Sequence, residues 1–146
     1  MTILRGKGIV KGSGAGPAMV TKMPMNFTAA HSKPHNLLPW KKSEVRDRHH
    51  ELFKKNIRGT VLVIPACIGS TLTGMILLDL MYRRTAPVAI IAQNADSLLV
   101  SGAILADVWF KRGIPIVEYA SDDIYEKIRT GDRVEVNGAT GEIKIL

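Results

Sequence analysis

The chain has 146 residues, of which 46% are hydrophobic and only 5% aromatic, and its formal net charge is +7. This length predicts one domain over residues 1–146 whose core is filled by aliphatic side chains. A single cysteine excludes an internal disulfide, and no apolar run approaches the ~18 residues of a membrane span. The first residues lack the apolar core of a secretory signal, so we expect a cytoplasmic protein with no membrane contact.

The N-terminal region contains short β-type runs at residues 5–10 and 18–22, joined by the glycine-rich segment 12–17. This pattern predicts a flexible loop between two paired strands. The glycine spacing does not match the dinucleotide-binding fingerprint, and the chain has no P-loop lysine. We therefore expect no nucleotide cofactor.

Residues 23–56 contain three prolines, all four histidines and little periodicity, which predicts a long loop excursion rather than a second domain. The histidines lack the spacing of a zinc motif, so we assign them no metal. Basic residues gather between Lys41 and Arg58, but only Trp40 and Phe53 accompany them as stacking groups. A solvated or partner-facing surface is favoured there over a nucleic-acid groove.

The most informative segment runs from residue 58 to residue 80. The β-branched apolar run at 60–64, between Gly59 and Pro65, predicts a strand buried on both faces. Dense apolar positions from 71 to 81 predict a largely buried helix, and a hydroxyl residue before them suits its N-cap. The chain thus passes from strand through a glycine turn to a helix.

This turn contains Cys67, Gly69, Ser70, Thr71 and Thr73. Free backbone N–H groups and the positive end of the helix dipole would meet a carboxylate or phosphate there. A hydroxyl in that place could also move a proton. The alternative is purely structural, with Gly69 making the turn, Ser70 or Thr71 capping the helix and Cys67 filling the core.

The remaining elements alternate between strand and helix. We expect strands at residues 86–92 and 114–118, helical pieces at 96–110 that break near Gly102 and end by Gly113, and a short helix at 122–129. Residues 132–136 and 141–145 should form a hairpin about Asn137 and Gly138. The predicted class is α/β with β-hairpins at both ends.

In this order the motifs resemble the small subunit, or swivel domain, of the aconitase X family of hydro-lyases. Each motif is weak alone, but their succession along nearly the whole chain is specific. The segments that carry the resemblance are residues 11–18, 47–52, 59–65, 69–70, 86–91, 101–106, 113–117 and 130–134. The resemblance implies a swivelling β/β/α domain that closes over a separate large subunit carrying most of the active site.

The resemblance also implies that the enzyme, as a hetero-oligomer, dehydrates a small anionic hydroxy acid. We favour cis-3-hydroxy-L-proline as the substrate, because Ala66 with Cys67 and the segment 109–113 resemble that branch; 5-phosphomevalonate is the alternative. A third reading is a non-catalytic module that binds nucleic acid or an acidic protein through residues 41–58. A phosphohistidine carrier is disfavoured because no histidine stands at the turn.

By family analogy, Ser70 would be the base that removes the proton beside the carboxylate, with Gly69, Thr71 and Thr73 contacting the substrate. Many members repeat Gly-Ser a few residues later, whereas this chain has Thr73 and Gly74. Some members carry iron or an iron-sulfur cluster, held mainly by the large subunit. Cys67 is the one candidate here for completing its ligation.

Overall fold

The fold is described by a computed structural model that covers residues 1–69 and 71–146. The strands of this part of the chain are β1 (Thr2–Arg5), β2 (Lys7–Val10), β3 (Ser13–Val20), β4 (Val61–Ile64), β5 (Ala89–Ala92), β6 (Ile116–Glu118), β7 (Arg133–Asn137) and β8 (Glu142–Ile145). The helices are α1 (Phe27–His31), α2 (Thr73–Tyr82), α3 (Ser97–Phe110) and α4 (Ile124–Lys127).

The strands form one mixed sheet in the order β1-β8-β7-β3-β4-β5-β6-β2. Its centre is parallel from β3 to β6, and α2 and α3 are the crossovers that join β4 to β5 and β5 to β6. The predicted α/β class is therefore confirmed. The C-terminal hairpin is confirmed too, with Val136 of β7 opposite Ile143 of β8.

Two apolar layers enclose the central strands. Leu62 and Ile64 of β4 face α1, α2, α3 and the excursion, whereas Val61 and Val63 face the β-hairpin layer and α4. All four residues are at most 1% exposed, which confirms the prediction of a strand buried on both faces. The layers therefore stack as β/β/α.

The N-terminal hairpin and the glycine-rich loop were wrong predictions. β1 pairs with β8, with Thr2 opposite Ile145, and β2 pairs with β6. Most of the glycine-rich segment lies inside β3, which begins at Ser13. A side chain there would strike neighbouring backbone: a Cβ on Gly16 would lie 2.5 Å from the Gly59 carbonyl oxygen. Glycine is needed here because neighbouring backbone comes close to the strand, and not because the chain must be flexible.

The helix that should have broken near Gly102 is continuous, and α2 begins two residues later than expected. Gly102 faces Gly74 of α2, where a Cβ on Gly102 would lie 2.5 Å from the Gly74 carbonyl oxygen. The rings of Tyr82 and Phe110, a pair with the same separation in sequence, meet at 4.7 Å between centroids. The two helices therefore run parallel in a fixed register. α3 ends at a left-handed Lys111 (φ 54°), ahead of Gly113.

The excursion packs against the helical layer and contributes Phe27, Val45 and Leu52 to its core. Asn36 ties its turns together, because its side-chain amide donates to the Glu44 carbonyl at 2.9 Å. His31 is buried and stacks on Phe27 with 5.8 Å between ring centroids. Burial lowers the pKa of His31 to about 4, against a smaller opposing effect of the Lys42 backbone, so the imidazole is neutral at pH 7.

Gly102→Ala should lower the free energy of unfolding by about 1–3 kcal/mol, because the new methyl group would force the two helices apart. Alanine gains up to ~1 kcal/mol of helix propensity over glycine, which is the smaller effect. Urea denaturation measures the difference. The neighbouring, exposed Ser101→Ala is the control and should stay within about 0.5 kcal/mol of wild type. A stabilised Gly102→Ala protein would contradict the close helix contact.

Candidate active site

The candidate site is the loop of residues 65–72, which leaves the carboxyl end of β4 and leads into α2. Because β3, β4 and β5 are parallel, the segments that follow them meet at the same edge of the sheet. These segments are residues 21–26, 65–72 and 93–96. In open α/β sheets this is the edge where ligands bind.

Neighbouring backbone holds this loop on two sides. The Met25 N–H donates to the Ala66 carbonyl at 2.9 Å, and the Ile68 N–H donates back to the Met25 carbonyl at 3.0 Å. From the other side, the Asn94 N–H donates to the Pro65 carbonyl at 2.9 Å. The first half of the loop is therefore fixed before any ligand arrives, as preorganised binding requires.

Gly69 turns the chain with φ +102°, a conformation that favours glycine. A Cβ at this position would also lie 2.7 Å from the side-chain nitrogen of Asn26. Asn26 is itself fixed, because its side-chain oxygen accepts from the Ala29 N–H at 3.0 Å as the N-cap of α1. The start of α1 thus packs against the turn and leaves no room for a side chain at residue 69.

The predicted base, Ser70, lies outside the described residues. Its neighbours Gly69 and Thr71 are exposed, whereas Thr73 is only 1% exposed at the start of α2. A ligand at the surface would therefore meet Thr71 before Thr73. The substrate-contacting roles of Gly69, Thr71 and Thr73 remain predictions.

Cys67 is 8% exposed and lies beneath the turn. Burial, and the negative charge of Asp96, raise the pKa of its thiol to about 12. A metal ligand must be a thiolate, and among the described residues no group of three His, Cys, Asp or Glu side chains could hold an ion. The described part of this chain therefore supplies no complete ion site of its own. That Cys67 completes a set of iron ligands held mainly by the large subunit stays a prediction.

Other polar side chains at this edge escaped the sequence analysis. The Gln93 amide donates to the Asp122 carboxylate at 2.7 Å and accepts from the Tyr125 hydroxyl at 3.0 Å. The Lys22 ammonium lies 5.7 Å from the centroid of the Tyr125 ring. These residues come from three separate segments, so no local pattern marks them. Asp96 was detectable, because Asp before a helical pattern indicates an N-cap.

Comparisons with known proteins agree with this architecture. The aconitase X swivel domain model matches residues 3–145. The chain belongs to that family. The crystal structure of Thermococcus kodakaraensis aconitase X in its holo-form is similar with a TM-score of 0.83 and 30% identity, covering 100% of this chain and 99% of that one. A solution NMR structure of a UPF0107 protein is similar with a TM-score of 0.82 and 29% identity, covering 99% of each chain.

Curated relatives of this swivel domain carry the names of enzyme subunits. The phosphomevalonate dehydratase small subunit of Methanothermobacter thermautotrophicus is 33% identical over 136 residues, which are 93% of this chain and 94% of the relative. That of Methanocella arvoryzae is 32% identical over 142 residues, which are 97% of this chain and 98% of the relative. The chain is thus the small subunit of an aconitase X-type dehydratase, as predicted, and its family implies a large-subunit partner. Within the described residues, no helix is long and apolar enough to cross a membrane.

We expect Cys67 in the native protein to resist alkylation at pH 8, because its thiol is buried and its pKa stands at about 12. Mass spectrometry after iodoacetamide treatment should show slow labelling of the native chain and fast labelling in guanidinium chloride. The unfolded chain is its own control, because the sequence has a single cysteine. Equal labelling rates would show that a reactive thiolate is exposed at this edge and would contradict the buried, protonated thiol.

Proposed function

We propose that this chain is the small subunit of a phosphomevalonate dehydratase, which removes water from 5-phosphomevalonate together with a large subunit. The observation that carries the proposal is the similarity to small subunits of that name over more than nine-tenths of the chain. The names of these relatives favour 5-phosphomevalonate over cis-3-hydroxy-L-proline as the substrate.

The fold weakens the case for cis-3-hydroxy-L-proline in a second way. That preference depended partly on residues 109–113, at the end of α3. Since α3 starts beside the candidate site, after the carboxyl end of β5, and leads back to the start of β6, this segment lies at the opposite edge of the sheet. Its sequence therefore carries no direct information about a substrate bound at residues 65–72.

The proposed reaction breaks a C–H bond beside the carboxylate and a C–O bond on the next carbon. The two carbons become doubly bonded, and the proton and the hydroxyl leave as water. We assign removal of the proton to Ser70, and we assign assistance to the departing hydroxyl to groups of the large subunit. An ordinary serine is a weak base, so this role needs neighbouring N–H groups or a cation to stabilise the alkoxide.

The geometry around residue 70 is compatible with such a role. The backbone bonds of Met25 and Asn94 fix the loop on its way to Gly69, and the contact of Gly74 with Gly102 fixes the helix that follows. The N-terminal end of α2, with its partial positive charge, lies immediately beyond the turn. The substrate is an anion at both ends, and its carboxylate would suit that position. Exposed Thr71 offers a further hydroxyl.

Co-expression of this chain with its large subunit should give a complex that dehydrates 5-phosphomevalonate, whereas each purified subunit alone should be inactive. The physical reason is that we assign only one edge of the active site to this chain and the groups that assist the departing hydroxyl to the large subunit. Product formation is measured by mass spectrometry or phosphorus NMR, with cis-3-hydroxy-L-proline as the matched substrate control. Turnover of the proline derivative alone would reverse the choice of substrate.

Ser70→Ala should lower kcat of the complex by about 10²–10⁴-fold, the range expected when a general base is lost. Binding of the large subunit should remain, because the change removes one hydroxyl group. The control is Ser13→Ala, an exposed serine at the start of β3 and hence at the opposite edge of the sheet, which should leave kcat unchanged. A Ser70→Ala complex of near-normal activity would exclude the base assignment.

A further inference from the structure

Large apolar side chains are exposed along the second half of α3. Exposure ranges from 36% at Leu105 to 69% at Val108, and Trp109 is 60% exposed. The ring of Phe110 extends the apolar surface to Tyr82 of α2. We name this surface the helix-pair face; its members are Tyr82, Ile104, Leu105, Val108, Trp109 and Phe110.

The side of α3 that faces the sheet is already buried. Leu99, Ala103 and Ala106 are fully buried against the sheet layer, and Gly102 is occupied by α2. The helix is therefore apolar on its inner side and on its outer side as well. A helix that is apolar all round is normally covered on both sides, and clustered apolar exposure marks interaction sites.

Positive charge lies at the end of this face where both helices end. Four cations follow the two helices: Arg83, Arg84, Lys111 and Arg112. Only two carboxylates, those of Asp79 and Asp107, lie in the last turns of the helices. Asp79 is already engaged, because its carboxylate accepts from the Arg83 Nε at 2.8 Å and from the Lys42 Nζ at 2.7 Å. Burial would raise the pKa of Asp79, but these two hydrogen bonds hold it below its usual value. The rim therefore has a surplus of cations.

We propose that the helix-pair face is the docking surface for the large subunit, which presents to it an apolar area edged by carboxylates. The identity of this partner rests on the proposed function. Exposed Leu72 and Met75 continue the apolar surface along α2 towards the candidate site. A partner seated on the face would therefore also reach residues 65–72.

Charge argues against a second copy of the chain as the occupant. A two-fold arrangement pairs the face with a copy of itself, so the surplus cations of one copy would find no acidic rim in the other. Each copy would bring a net charge of +7 to that contact.

The test measures affinity for the purified large subunit without substrate, by calorimetry or surface plasmon resonance. Val108→Asp should weaken binding at least about tenfold, because it buries a charge at the centre of the interface. Ile3→Asp is the matched control: Ile3 is 46% exposed on β1, at the other end of the sheet order, and the change should leave affinity within about twofold. Thermal unfolding verifies that both variants are folded.

A second variant tests the charged rim. Lys111→Glu should slow association at low salt, and the difference from wild type should shrink as salt is added. Arg133→Glu, an exposed cation on β7, is the control and should change the association rate less. Equal rates for Lys111→Glu and Arg133→Glu at low salt would remove the acidic-rim part of the proposal.

Unchanged affinity of Val108→Asp for the large subunit would overturn the docking surface. A dimer of the isolated chain that Val108→Asp dissociates, with binding of the large subunit intact, would assign the face to a second copy. The substrate assignment fails separately: a complex that is sensitive to Val108→Asp but inert towards 5-phosphomevalonate keeps the docking surface. Activity of the Val108→Asp complex should recover at saturating large subunit.

Discussion

The contact between Gly74 and Gly102 is the constraint on which the functional parts of the molecule depend. The two backbones come so close that neither position accepts a methyl group without movement. This closeness fixes the position of the first turn of α2, and thereby the position at which the loop ahead of it ends. It also places the outer sides of α2 and α3 beside each other, so that scattered apolar side chains become one continuous surface. The candidate site and the proposed docking surface therefore both depend on this one contact between α2 and α3.

The candidate site combines rigidity with openness. Hydrogen bonds from Met25 and Asn94 and the side chain of Asn26 hold the loop in place, while Gly69 and Thr71 remain at the surface. Such an arrangement suits a catalytic group that a second protein must cover. The thiol of Cys67 packs beneath the turn, where its burial and the negative charge of Asp96 both disfavour the thiolate.

The elements that sequence could predict are those whose pattern is local. β4 was recognisable because its β-branched run lies between Gly59 and Pro65, and the strand–turn–helix order pointed to the correct loop. The errors involve glycine. Glycine in β3 and in α3 was taken as loop or break, because sequence does not distinguish a glycine that bends the chain from one that admits a neighbouring backbone. Residues such as Asn26 and Gln93 reach the site only through tertiary contacts.

The pairing of β1 with β8 has a topological consequence. Thr2 stands opposite Ile145, so the outer ends of these two strands lie side by side at one edge of the sheet. A polypeptide attached ahead of β1 and one attached behind β8 would leave the domain from the same place. A short linker that joins residue 146 to residue 1 would equally allow circular permutation, with new ends opened among the exposed residues 48–49, while every strand keeps its neighbours.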